Sequence, residues 1–194
     1  MAKENYRSLS QAEIEQLSNQ RCSAENWDLI QVKPGFNPER IVDCRLSGSI
    51  KLGVFSQQIE FSGGIKEDTG IRQARLHNVE VGDECLIYGV KNYIANYRLD
   101  AGVVIRNIET LLVEGETTFG NGIPIAVLNE TGGREVLMYD RLSAHLAYIL
   151  ALYRHNQKVI MKINKMIEKY AKKRKSSMGF VGAGTWIQNA QLIR

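Results

Sequence analysis

The chain has few of the residues that stiffen, staple or anchor a protein. Proline and cysteine each occur 3 times in 194 residues, and histidine 3 times. With 17 glycines against so few prolines, the expectation is many tight turns rather than a disordered linker. The cysteines (Cys22, Cys44, Cys85) are odd in number, far apart and without C-x-x-C or His-pair spacing. They read as reduced, structural thiols of a cytoplasmic protein, and they offer no metal site. No apolar run approaches the roughly 18 residues of a membrane span. The longest clear one, Leu146–Tyr153, covers eight. The opening "MAKENYRSLSQAEIEQL" is polar and carries both charge signs, which excludes a signal or transit peptide.

What is present suits one domain, or one domain with an insertion. Hydrophobic residues make up 44% of the chain, enough for a core. The net charge of +4 is unevenly placed. Residues 157–175, "QKVIMKINKMIEKYAKKRK", hold eight Lys/Arg against the single Glu168, a net +7, so the remainder carries −3. Aromatics are not interleaved with these lysines and the body is acidic, which argues against nucleic acid. The segment also lacks the bulky apolar face of a membrane-surface helix.

Local signals divide the chain into four segments. Residues 1–40 form a helical lead-in: Ser10 and Glu13 have capping-box spacing ahead of Ile14 and Leu17, and "SAENW" is a second start. Residues 41–136 change to short strands punctuated by Gly, Asn and Asp. There, steps of six from Val81 reach Ile87, Tyr93, Leu99, Ile105 and Leu111, all apolar. Neither a helical nor an alternating period explains such steps. A triangular coil of about 18 residues per turn does, and it predicts Val81 beneath Leu99, Ile87 beneath Ile105 and Tyr93 beneath Leu111. Ile65 with Ile71, and Phe119 with Ile125, extend the spacing with phase slips. Residues 137–176 read as a helical insertion, its two apolar stripes bending at "RHNQ" (154–157) into a helical hairpin. Residues 177–194 resume the coil, Val181, Ile187 and Ile193 stacking on the earlier ladder. An uncapped coil end exposes strand edges, so the expectation is a chain cut from a longer protein.

"VGDECL", "LDAGVV" and "VGAGTW-IQNAQL" resemble the hexapeptide-repeat signature of the left-handed parallel β-helix superfamily, which includes trimeric acyltransferases. "LHNV-VGDECLI", "VKNYIANY", "TFGNG", "VLNETGGREV" and "LSAHLAYILALYRH" are similar to the N-terminal part of a longer bacterial family catalogued only as a domain of unknown function. The first resemblance implies a mainly β fold with an α insertion, wound as a left-handed parallel β-helix. It also implies a homo-oligomer, a trimer in that superfamily, with small-molecule substrates bound between subunits. The chemistry it implies is acyl transfer from acetyl-CoA or another acyl donor to a sugar or other small acceptor.

In such an enzyme a histidine removes a proton from the acceptor while backbone N–H groups hold the oxyanion. The candidates for that single base are His77, His145 and His155, each with a packing or corner role as the competing reading. Candidate substrate contacts are Asn129, Glu130, Gly132, Gly133 and Arg134. Their glycine amides and guanidinium suit an anion, and a coil corner with a Glu130–Arg134 ion pair is the alternative. Lys162, Lys165 and Lys169 share a helix face suited to coenzyme phosphates, an acidic partner or plain solvation. The competing function is a non-catalytic β-helix scaffold or oligomerisation module.

Overall fold

The six-residue spacing of aliphatics becomes a set of short strands paired mostly in parallel. The computed structural model describes residues 5–126, 135–190 and 192–193, and there the protein is mainly β with three α-helices. It divides into two compact units, one holding the described residues up to Glu114 and from Met178 onward, the other those between Gly115 and Ser177.

The first unit opens with β1 (Arg7–Ser8), α1 (Gln11–Asn19), β2 (Ser23–Ala24) and β3 (Ile30–Val32). Helix α1 starts where the sequence announces it: the Ser10 side chain accepts from the Glu13 N–H, and Glu13 accepts from the Ser10 N–H. Long strands β4 (Ile41–Leu52) and β7 (Gly70–Val81) flank a hairpin of β5 (Gln58–Glu60) and β6 (Lys66–Asp68). Then come β8 (Leu86–Tyr88), β9 (Tyr93–Leu99), β10 (Val104–Arg106) and β11 (Thr110–Leu112). In the other unit lie β12 (Pro124–Ala126), β13 (Glu135–Leu137), α2 (Ala144–Leu152) and α3 (Gln157–Arg174). The chain returns to the first unit with β14 (Gly179–Val181), β15 (Trp186–Gln188) and β16 (Leu192–Ile193).

Among the described residues, the first unit holds a twelve-stranded mixed sheet whose pairs are parallel except β1 with β3. Its register lines up three aliphatic ladders. Ile41, Ile71, Ile87, Ile105 and Ile187 pair in succession. So do Leu46, Leu76, Ile94 and Leu111, and Leu52, Val81, Leu99 and Val181. Ile41, Ile71, Ile87 and Ile105 are each 0% exposed, and burial of such a side chain contributes roughly 1.5–3 kcal/mol. These ladders supply much of the core, with Leu17, Phe55, Leu86 and Val104 buried beside them in the first unit.

Val81 pairs with Leu99 and Ile87 with Ile105, as the spacing predicts. Four positions differ, the last of them Ile193, which pairs with Leu112 while Leu192 takes the place opposite Leu111. Leu111 pairs with Ile94, leaving Tyr93 40% exposed, because the turn after β8 takes one residue more than six. Ile65 is exposed at the tip of the β5–β6 hairpin and joins no ladder. Ile125 lies in the second unit, opposite Val136 in the antiparallel pair β12–β13. A left-handed β-helix is a finer description than this pairing establishes.

The second unit is built around α3. Ile167 and Ala171 are buried, and the Tyr170 hydroxyl donates to Asp140 at 2.8 Å while accepting from Arg174 Nε at 2.8 Å. Helices α2 and α3 are separate: α2 is capped by Ser143, α3 by Asn156, and residues 153–156 break them. Among the described residues no helix is long and apolar enough to cross a membrane.

Candidate functional site

A cavity of about 530 Å³ lies on the outer face of β4, β7, β9 and β11. Strand alternation creates it. Leu46 and Leu76 point into the core, so Arg45 and Ser47 on β4, and Arg75 and His77 on β7, point outward. The parallel register sets Arg45 beside Arg75 and Ser47 beside His77, then His77 beside Ala95 and Ala95 beside Leu112. Tyr93 and Asn96 complete the lining.

Two features define its electrostatics. The first is that no carboxylate lines it. Arg45 and Arg75, on strands about 4.8 Å apart, have no ion-pair or hydrogen-bond partner among the described residues. A smaller cavity of about 280 Å³ makes the contrast: there Arg40 pairs with Asp68 at 2.6 Å and Arg72 donates to the Asp68 carbonyl. The second feature is a polar ladder around His77. Ser49 N–H donates to Asn78 Oδ1 at 3.0 Å, which fixes the amide orientation. Asn78 Nδ2 therefore faces Asn96 Oδ1 at 3.2 Å and His77 Nε2 at 3.0 Å as a donor. That makes Nε2 an acceptor and puts the ring proton on Nδ1, donated to Ser47 Oγ at 2.9 Å. The serine hydrogen goes to the Leu76 carbonyl at 3.4 Å, and Asn96 Nδ2 continues the ladder to the Val113 carbonyl at 2.9 Å.

This geometry bears on each candidate base. The nitrogen of His77 that would remove a proton is already occupied by the Asn78 amide, and Ser47 is an acceptor from the ring rather than a nucleophile activated by it. His145 is exposed in the first turn of α2, and His155 is exposed between the helices with its ring 6.0 Å from that of Tyr153. Both belong to the second unit, whereas His77 belongs to the first. Lys162, Lys165 and Lys169 are exposed on α3. Asn129, Glu130, Gly132, Gly133 and Arg134 lie outside the described residues.

Several other ionisable groups of the first unit are held by partners or by burial. Glu84 is pushed up by burial, but donors from Ser56, Gln57 and Thr69 win and hold its carboxyl below the usual range. Burial pushes the Cys85 thiol up to about 12, leaving it inert. The register also brings Cys22 and Cys44 together, one position before the Ser23–Arg45 pair. Each thiol donates to a carbonyl, Cys22 to Ile41 and Cys44 to Ile71, both at 3.5 Å, and the interaction between the two pulls Cys22 down and pushes Cys44 up. Among the described residues no group of three His, Cys, Asp or Glu converges as a metal site would require.

Sequence reasoning missed Arg45 and Arg75. The signal was available: "CRLS" at 44–47 recurs as "ARLH" at 74–77, a small residue, arginine, a core leucine and a polar residue, at the two places where β4 and β7 pair.

A parallel mixed sheet with an unpaired cationic groove defines a class, that of mainly β proteins with a built surface cavity. The family is specific. Residues 6–194 match the model of the domain of unknown function DUF4954, and the chain belongs to that family. It is similar to an uncharacterized protein of Treponema pallidum (strain Nichols), 23% identical over 200 residues, which takes in 97% of this chain and 28% of the relative. The chain thus spans less than a third of the length of the curated relative it matches. No solved structure matches it. These findings overturn the assignment to the hexapeptide-repeat acyltransferase superfamily: the matching family is another one, and its short motifs, common wherever strands turn every six residues, carried that assignment too far.

Proposed function

We propose that this chain is a ligand-binding module that holds a small anion in the groove of Arg45 and Arg75. The supporting observation is that Arg45 and Arg75 stand in register on adjacent strands and line one groove that holds no carboxylate. Two like charges in adjacent register repel, and an exposed protein surface ordinarily relieves this with an acidic neighbour. Here the relief is left to a ligand. Acyl transfer with a histidine base, the function expected from sequence, is the weaker reading, because the Nε2 lone pair of His77 is engaged by Asn78.

Thermal denaturation with acetyl-CoA, coenzyme A, UDP-sugars and simple anions tests the proposal. A ligand present at 100 times its Kd adds about 2.7 kcal/mol, a rise of about 5–10 °C in Tm for a chain of this size. At least one anion is expected to produce it, and the Arg45→Ala/Arg75→Ala double variant to lose it. No shift with any of them sinks the reading.

The finer fold reading belongs here as well. We propose that the twelve-stranded sheet winds as a left-handed parallel β-helix. Three ladders, with partners 18 residues apart at Val81–Leu99 and Ile87–Ile105, support three faces per turn. Left-handed backbone at stacked corners, Gly89, Asn107 and Asn189, supports repeating bends. An experimental structure with the opposite winding overturns it.

A second reading, assembly into a homo-oligomer, rests on α2. Its sequence "AHLAYILAL" has no Asp, Glu, Lys or Arg, and Tyr148, Ile149, Leu152 and the following Tyr153 are exposed. A contact between two copies of this helix incurs no like-charge repulsion, unlike one made through α3.

A further inference from the structure

We infer that the groove takes a phosphomonoester with a flat, apolar body, an aryl or nucleoside monophosphate in chemical class. The inference rests on the reading of the groove as a binding site and names what that site recognises.

Charge comes first. Arg45 and Arg75 supply two permanent positive charges, and no lining residue is acidic. A phosphomonoester carries about −1.5 to −2 at pH 7 and neutralises both, whereas a carboxylate leaves one guanidinium unpaired. Geometry agrees. Each guanidinium offers a planar fork of two parallel N–H groups, and the forks stand on separate strands about 4.8 Å apart. Three terminal phosphate oxygens in a tetrahedral arrangement serve two forks. The two oxygens of a carboxylate lie in one plane and serve one.

The remainder of the groove fits the body of such a ligand. Tyr93, 40% exposed, lines the same groove as the arginines and supplies an aromatic ring for stacking, and Ala95 and Leu112 add apolar lining. A cavity of about 530 Å³ lies in the range of small-molecule sites, roughly 300–1,000 Å³. The bound hydrogen-bond ladder of Ser47, His77 and Asn78 makes one wall rigid, since each member is already held by the next.

Calorimetric titration of the whole chain with phenyl phosphate, AMP, inorganic phosphate and benzoate tests this. Phenyl phosphate and AMP are expected to bind at least tenfold more tightly than inorganic phosphate or benzoate. Arg45→Ala and Arg75→Ala are each expected to weaken them tenfold or more, and Arg→Lys at either position several-fold, because the charge stays and the fork is lost. Tyr93→Ala should bring phenyl phosphate down to the level of inorganic phosphate. These side chains are exposed and lie outside the core, and circular dichroism of each variant confirms folding. Benzoate binding as tightly as phenyl phosphate, still dependent on Arg45 and Arg75, overturns the phosphomonoester class and leaves the anion groove standing. Inorganic phosphate equalling phenyl phosphate overturns the flat body. No binding by any probe, or binding that ignores both arginines, overturns the groove itself.

Discussion

Ser10 and Glu13 show how much one pair of residues settles. Their spacing predicts a helix start, and the capping box forms, with Arg7 gripping the Glu13 carboxylate at 2.8 and 2.7 Å. The Arg7 hydrogen bonds hold the Glu13 carboxyl down at about 2. A carboxyl depressed in the folded state stabilises the fold above its unfolded value of about 4.3, and this contribution is lost as pH falls from there through about 2. Urea denaturation should therefore show Glu13→Gln less stable than wild type at pH 6, the gap closing toward pH 2. Ser10→Ala should cost about 1 kcal/mol. The thiols were only half legible at this scale. Composition shows three free cysteines, but the meeting of Cys22 with Cys44 depends on β2 lying against β4.

At the scale of the element, a period of six aliphatics announced strands that stack, and Val81–Leu99 and Ile87–Ile105 stack accordingly. The period failed at Tyr93 because corner length is decided by turn conformation, and an aromatic satisfies an apolar count whether it faces in or out. Corners also carry the sharpest sensitivity. Gly48 sits at φ +62, and a Cβ there meets the Asn78 carboxamide that orients His77. Gly48→Ala should lose about 1–3 kcal/mol, through left-handed backbone strain and a displaced amide. Asn78→Gly keeps the backbone permissive and removes only the ladder. Comparing the two by chemical denaturation separates strain from hydrogen bonding, and a Gly48→Ala protein as stable as wild type contradicts the ladder's role.

At the scale of the molecule, the proposed assembly rests on the exposed apolar side chains of α2, and a patch of that kind is ordinarily an interface. Light scattering should give a mass that is a multiple of the 21.9 kDa chain, returning to 21.9 kDa on Tyr148→Glu/Leu152→Glu. A wild-type chain that stays monomeric at 100 µM removes this reading and leaves the groove untouched.

The order of apolar residues announced the stacked strands from Val81 onward and the helices of the insertion, because burying a side chain depends on its spacing along an element, but it missed β1, β2 and β3 inside the stretch read as a helical lead-in. The α2–α3 break and the return at Val181 were readable for the same reason. The groove was not. Arg45 and Arg75 are thirty positions apart, and nothing local distinguishes an arginine that will lack a carboxylate from one that will find it. Only the register of β4 against β7 sets those two charges side by side. Coulomb repulsion between them, negligible in the extended chain, then becomes the feature on which the proposed anion binding rests.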